Sequence, residues 1–204
     1  MLVTMKVLDR AQSRLSQPWR TLVDWLVTIA VAIVFVLAFQ AAVAKPYVIP
    51  SPSMEPTLHC AKPIANCEGR FSERVVANRL AYRFRDPERG EIVVFKAPAT
   101  ADRCGGTGGG SAFVKRIVGL PGELVSERDG VIYINGDRLT EPYVAPSRRG
   151  NGNGNWRVAP GHYLVLGDNR MRSCDSRTWG TVPRGSLIGP VVLTYWPPSR
   201  ASFR

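Results

Sequence analysis

The chain has 204 residues, 45% of them hydrophobic, enough for one sizeable domain plus a shorter segment. Its net charge of +11 suits work beside anionic lipid. No Lys/Arg stripe interleaved with aromatics accompanies that charge, which argues against nucleic acid as a partner. Four cysteines without a Cys-x-x-Cys pair, and two histidines away from zinc-ligand spacing, argue against a structural metal. No cofactor is expected.

Residues 1–24 read as a basic tail, with Lys6, Arg10, Arg14 and Arg20 against Asp9 and Asp24. Residues 25–44 are nearly continuous apolar sequence, broken only by Thr28 and Gln40. About twenty such residues suffice for a helix to cross the hydrocarbon core. Basic residues before it place the N-terminus in the cytoplasm, and Trp25 and Tyr47 stand where interfacial aromatics belong. The expectation is a single-pass anchor in the plasma membrane, in contact with lipid, with residues 45–204 forming an extracytoplasmic domain. A cleaved secretory leader competes, because Ala42-Val43-Ala44 has the A-x-A form of a cleavage site. The apolar run is longer than the usual leader core of about 7–15 residues. The same tripeptide also admits self-cleavage, against the plainer reading of a helix end rich in small residues.

After residue 45 the pattern turns to short strands, predicted over residues 91–95, 113–118, 131–134, 163–166 and 189–196. Asn135-Gly136 after the third of these is a strong hairpin signal. Many short strands between Gly/Pro turns imply a mainly β, barrel-like antiparallel domain, with no long amphipathic helix in it. Residues 97–110 and 147–155 read as mobile loops. Outside the cytosol an even cysteine count favours disulfides, with three connectivities possible. Cys60–Cys67 closes a short loop, which leaves Cys104–Cys174; four free thiols is the alternative.

Neither His59 nor His162 lies in a triad context, and Gly-x-Ser-x-Gly is absent. Of five lysines, only Lys115 lies inside an apolar strand, on the face of Phe113 and Ile117. Burial disfavours its charge, and a neutral lysine can take a proton from a serine. An edge lysine reaching solvent fits the strand equally well. Ser53 lies in Ile49-Pro50-Ser51-Pro52-Ser53-Met54, where the prolines stiffen the backbone; taken alone, this is a Pro/Ser turn. Residues 167–180 hold dense polar groups directly after a strand, where sites are often built.

Taken in order, an anchor, Ser51 to Leu58, Arg89 to Val93, Lys115 to Glu123 and Gly167 to Arg177 resemble the bacterial type I signal peptidases. The resemblance runs from the anchor almost to the C-terminus. It implies a serine endopeptidase with a Ser/Lys dyad that cuts signal peptides from secreted preproteins after small residues. It implies Ser53 as nucleophile, Lys115 as general base, and Ser51 with the Ser53 N–H as oxyanion hole. Ser173 would orient the lysine amine, with Asp175, Arg177, Asp168 and Asn169 as support. Ile49, Pro50, Met54, Leu58, Phe113 and Val114 would line the substrate pockets. Pro52 stands where glycine is common in the family, and Met171-Arg172 where acidic or amide residues are. A self-cleaving repressor would carry a helix-turn-helix, which is absent; an anchored, non-enzymatic binding domain is the other rival.

Overall fold

In a computed structural model the chain is described over residues 17–104 and 111–204, the side chains of 17, 18, 20, 38–42 and 102–104 excepted. It divides into two compact units, residues 1–42 and 43–204. The first unit holds all but the last residue of helix α1 (Gln17–Val43), with Pro18 in the first turn, where its missing N–H costs nothing. Leu22, Trp25, Leu26, Ile29, Ile33 and Phe35 are about half exposed or more. Among the described residues no helix is long and apolar enough to cross a membrane. Residues 1–16, which include most of the expected basic tail, lie outside the described residues.

The second unit is mainly β. In chain order it contains β1 (Ala44–Val48), β2 (Arg74–Asn78), α2 (Ala81–Phe84), β3 (Ile92–Lys96) and β4 (Ala112–Gly119). There follow β5 (Leu124–Arg128), β6 (Val131–Ile134), β7 (Asp137–Arg138), β8 (Gly154–Arg157) and β9 (His162–Leu166). The chain closes with α3 (Ser176–Trp179), β10 (Val182–Pro183), β11 (Leu187–Trp196) and β12 (Ser202–Phe203). The larger sheet runs β1-β2-β11-β3-β4-β9-β10, with β12 on β11. It is an open path rather than a closed ring, so β1 and β10 are edges. The smaller sheet runs β7-β6-β5-β8. Pairing is antiparallel throughout both.

β3 is the centre of the core. Val93 and Phe95 face one cluster with Ile117, Val165 and Trp179, while Ile92 and Val94 face another with Met54, Leu58 and Val75. Both faces of the strand are buried, so its sequence is a continuous apolar run rather than an alternation. Leu164 and Leu166 of β9 meet Val118, Val125 and Ile132 in a third cluster. Asn135 and Gly136 adopt φ of 52° and 99°, the left-handed pair that a tight hairpin between β6 and β7 demands.

Two stretches differ from expectation. Gly154 and Asn155, assigned to a mobile loop, belong to β8 and pair with Glu127 and Ser126 of β5. Residues 99–104 of the other loop form a 3-10 turn, and 105–110 lie outside the described residues. Strands β2 and β5 were not legible in the sequence. In β5 the inward positions include Ser126 and Glu127, which are buried, and polar residues hide the strand pattern.

Candidate active site

The site is built where β4 passes the turn after β1. Pro52 opens a short 3-10 turn, Pro52–Met54, and the preceding Ser51 is extended at φ −133° and ψ 154°. Proline's fixed φ favours this corner and holds Ser53 at its apex. The turn is clamped from across the molecule by Asn169. Its backbone N–H donates to the Ser53 carbonyl at 3.1 Å, and its side-chain amide to the Pro52 carbonyl at 3.1 Å. Ser53 is 6% exposed.

Register brings the lysine to this serine. Lys115 pairs with Val93 of β3, and its Nζ lies 2.7 Å from Ser53 Oγ and 3.2 Å from the Val114 carbonyl. Lys115 is 4% exposed, so the reading as an edge lysine reaching solvent is excluded. Burial lowers its pKa to about 8; Asp175 and Asp168 pull it upward, and Arg177 pushes it down further. The charged amine donates to Oγ, whereas the neutral amine accepts the Oγ proton. Ser51 Oγ lies 3.2 Å from Ser53 Oγ.

The polar loop after β9 supplies the frame. Asp168 accepts from Arg116 Nε at 2.8 Å and from its terminal nitrogen at 2.6 Å, and also from the Thr57 hydroxyl. Asp175 accepts from the Gly167 N–H at 3.1 Å and from Arg177 Nε at 2.8 Å. Arg177 reaches on to the Arg170 carbonyl at 2.7 Å and to Glu127. Ser173 was expected to orient the amine. Its hydroxyl is buried and makes no hydrogen bond among the described residues. It packs against Gly167, where an added Cβ would stand 2.2 Å from Ser173 Oγ and 2.5 Å from the Ser53 carbonyl oxygen. Gly167 therefore permits the close approach of the loop to the turn.

A cleft of about 400 Å³ opens beside the pair. Ile49, Pro50, Met54, Phe113 and Val114 line it, together with Ser51, Ser53 and Lys115. Leu58 does not. It is fully buried in the core beside Met54, because the chain turns inward after residue 54. Two backbone edges border the cleft. β9 pairs only with residues 116–119 of β4, which leaves 112–115 paired to β3 alone among the described residues. β1 is the end of its sheet.

Sequence reasoning missed several groups. Arg116 was passed over as the neighbour of Lys115, yet alternation along β4 points it to the opposite face, toward Asp168. Tyr47, Ser111, Ala112 and Arg172 also line the cleft. Glu141 and Arg170 form an ion pair with side chains 2% and 1% exposed. Cys60 and Cys67 are joined by a disulfide with Cα atoms 5.0 Å apart. Cys174 is disulfide-bonded; the side chain of Cys104 lies outside the described residues. Glu55 takes the Cys60 and Glu68 N–H groups at 3.1 and 3.0 Å and the His59 ring, so His59 has a structural partner away from Lys115.

Comparison with known proteins is consistent along the chain. The family model described as signal peptidase, peptidase S26, matches residues 22–196. The signal peptidase I of Leptolyngbya laminosa is 38% identical over 194 residues, covering 93% of this chain and 88% of that protein. Signal peptidase IB of Staphylococcus aureus is 32% identical over 195 residues, covering 87% and 91%. A crystal structure of a signal peptidase I from Enterococcus faecalis aligns with a TM-score of 0.44 at 36% identity, covering 52% of this chain and 97% of that one.

Proposed function

Because this chain belongs to the signal peptidase family, peptidase S26, we propose that Ser53 and Lys115 are the nucleophile and general base with which it removes signal peptides. The chain is a serine peptidase of that family, and its substrates are preproteins. The observation that carries the assignment is the 2.7 Å contact between Ser53 Oγ and an amine buried with a lowered pKa.

Neutral Lys115 takes the Oγ proton as Oγ attacks the scissile carbonyl carbon. In this reading the oxyanion is held by the Ser53 N–H and the Ser51 hydroxyl. Lys115, now an ammonium, gives its proton to the leaving amine. Water then hydrolyses the acyl-enzyme, with Lys115 again as base. Asn169 holds the turn; Asp168, Asp175 and Arg177 brace the neighbouring loop and set the charge around Lys115; Ser173 is assigned the orienting role. The signal peptide lies extended between the free edges at 112–115 and after β1, as an added strand. The apolar cleft then selects small side chains at the first and third positions before the cut.

This mechanism has a pH signature. Only neutral Lys115 is active, so kcat/KM should rise tenfold per pH unit below about 8 and level above it. A profile flat from pH 6 to 9 would exclude Lys115 as the base.

The anchor is part of the same proposal. Residues 25–44 span the plasma membrane once, lipid covers the exposed apolar residues of α1, and the basic tail keeps the N-terminus cytoplasmic. The catalytic domain is then extracytoplasmic. The full chain should stay in the membrane fraction through alkaline carbonate washing, with residues 45–204 accessible to protease only from outside. Release by carbonate, or a mature chain starting at Lys45, contradicts the anchor.

A further inference from the structure

A second cleft, of about 390 Å³, lies on the other side of the 169–172 turn. It is lined by Asn66, Glu68, Ser147, Arg148, Asn169 and Arg172 among others. Two residues tie it to the reacting centre. Asn169 grips the carbonyls of Pro52 and Ser53, and Arg172 lines both this cleft and the apolar one beside Ser53. A peptide whose scissile carbonyl meets Ser53 Oγ has two ends to place. The apolar cleft matches the signal peptide, and the polar cleft matches the first residues of the mature chain.

The charges in the polar cleft are unequal. Arg148 is paired with Glu68. Among the described residues the Arg172 side chain makes no ion pair or hydrogen bond. One positive charge is thus uncommitted, at the boundary between the two clefts. We infer that the cleft between residues 66–68 and 147–148 receives the mature chain after the cut, and that Arg172 selects acidic side chains there. This deepens the proposed function, since it rests on Ser53 being the attacking group. It names a specificity determinant outside the pockets for the signal peptide.

The test uses the full chain in detergent and model preprotein peptides identical up to the cut. Glu or Lys replaces Ala at each of the first five positions after it, one at a time. Glu should exceed Lys in kcat/KM by about fivefold at one or more positions, the size of a partly screened charge pair. The ratio should fall toward one with added salt. Arg172→Glu should invert it, and Arg172→Lys should keep it, which a merely structural arginine would not do. Equal rates for Glu and Lys at all five positions, or a preference that survives Arg172→Glu, would overturn the inference and leave the Ser53 assignment intact. No cleavage of the all-Ala peptide by the wild-type chain would overturn both.

Discussion

Replacing Lys115 by methionine is expected to abolish preprotein processing and, at pH 7, to make the protein more stable. The two effects have one cause. Loss of the base, like loss of the nucleophile in Ser53→Ala, should lower kcat/KM by about four orders of magnitude or more. The stability effect follows from burial. Lys115 has a folded pKa of about 8 against an ordinary value of 10.5. Between those values the unfolded chain binds more protons than the folded one, so stability rises with pH across that interval. At pH 7 the full penalty is present, roughly 3 kcal/mol at 1.36 kcal/mol per pKa unit. Methionine has similar length and no charge, so it escapes this cost. The melting temperature at pH 7 should rise by about 6–12 °C, and the advantage should vanish above pH 10.5. A variant less stable than wild type at pH 7 would mean that the folded protein favours the ammonium, and the assigned base would lose its physical basis.

The second large effect is expected at Asp168, which never touches the reacting atoms. Its side chain is 1% exposed and holds the Arg116 guanidinium, itself 11% exposed and stacked 3.9 Å over the Tyr143 ring. Asp168→Asn leaves a buried cation short of its counter-charge, at a cost of about 3–5 kcal/mol. Denaturant unfolding should show that loss, and Arg116→Met added to Asp168→Asn should recover much of it. The same substitution should act on the chemistry. Asp168 pulls the Lys115 pKa upward, so its removal should move the rising limb of the pH profile to lower pH. Unchanged stability together with an unchanged pH midpoint would show that Asp168 neither balances Arg116 nor reaches Lys115.

Much of the framework was legible because its causes are local. The apolar runs of β3, β4 and β9 show in the sequence since each is buried on both faces. Asn135-Gly136 announces its hairpin because few other pairs tolerate left-handed φ at both positions. β2 was missed because its apolar run is only three residues, Val75 to Ala77, and β5 because Ser126 and Glu127 interrupt its pattern; Arg177 reaches the buried Glu127 and offsets its charge. Leu58 was assigned to a pocket on the strength of its place in a motif, whereas the turn after Ser53 carries it into the core. The place of Ser173 came from the motif alone; its hydroxyl lies against Gly167, with no hydrogen-bond partner among the described residues.

By itself the sequence determined the apolar segment, the β character of the rest, and Lys115 as a lysine in an apolar strand. Those are short-range properties, set by composition and periodicity. Only the tertiary structure decided that Lys115 meets Ser53, 62 residues away. That meeting depends on the β3–β4 register, on Asn169 gripping the turn from another part of the chain, and on Gly167 letting the two segments close. Burial follows from the same packing and drives down the lysine pKa, and a strand read alone carries no measure of its own burial.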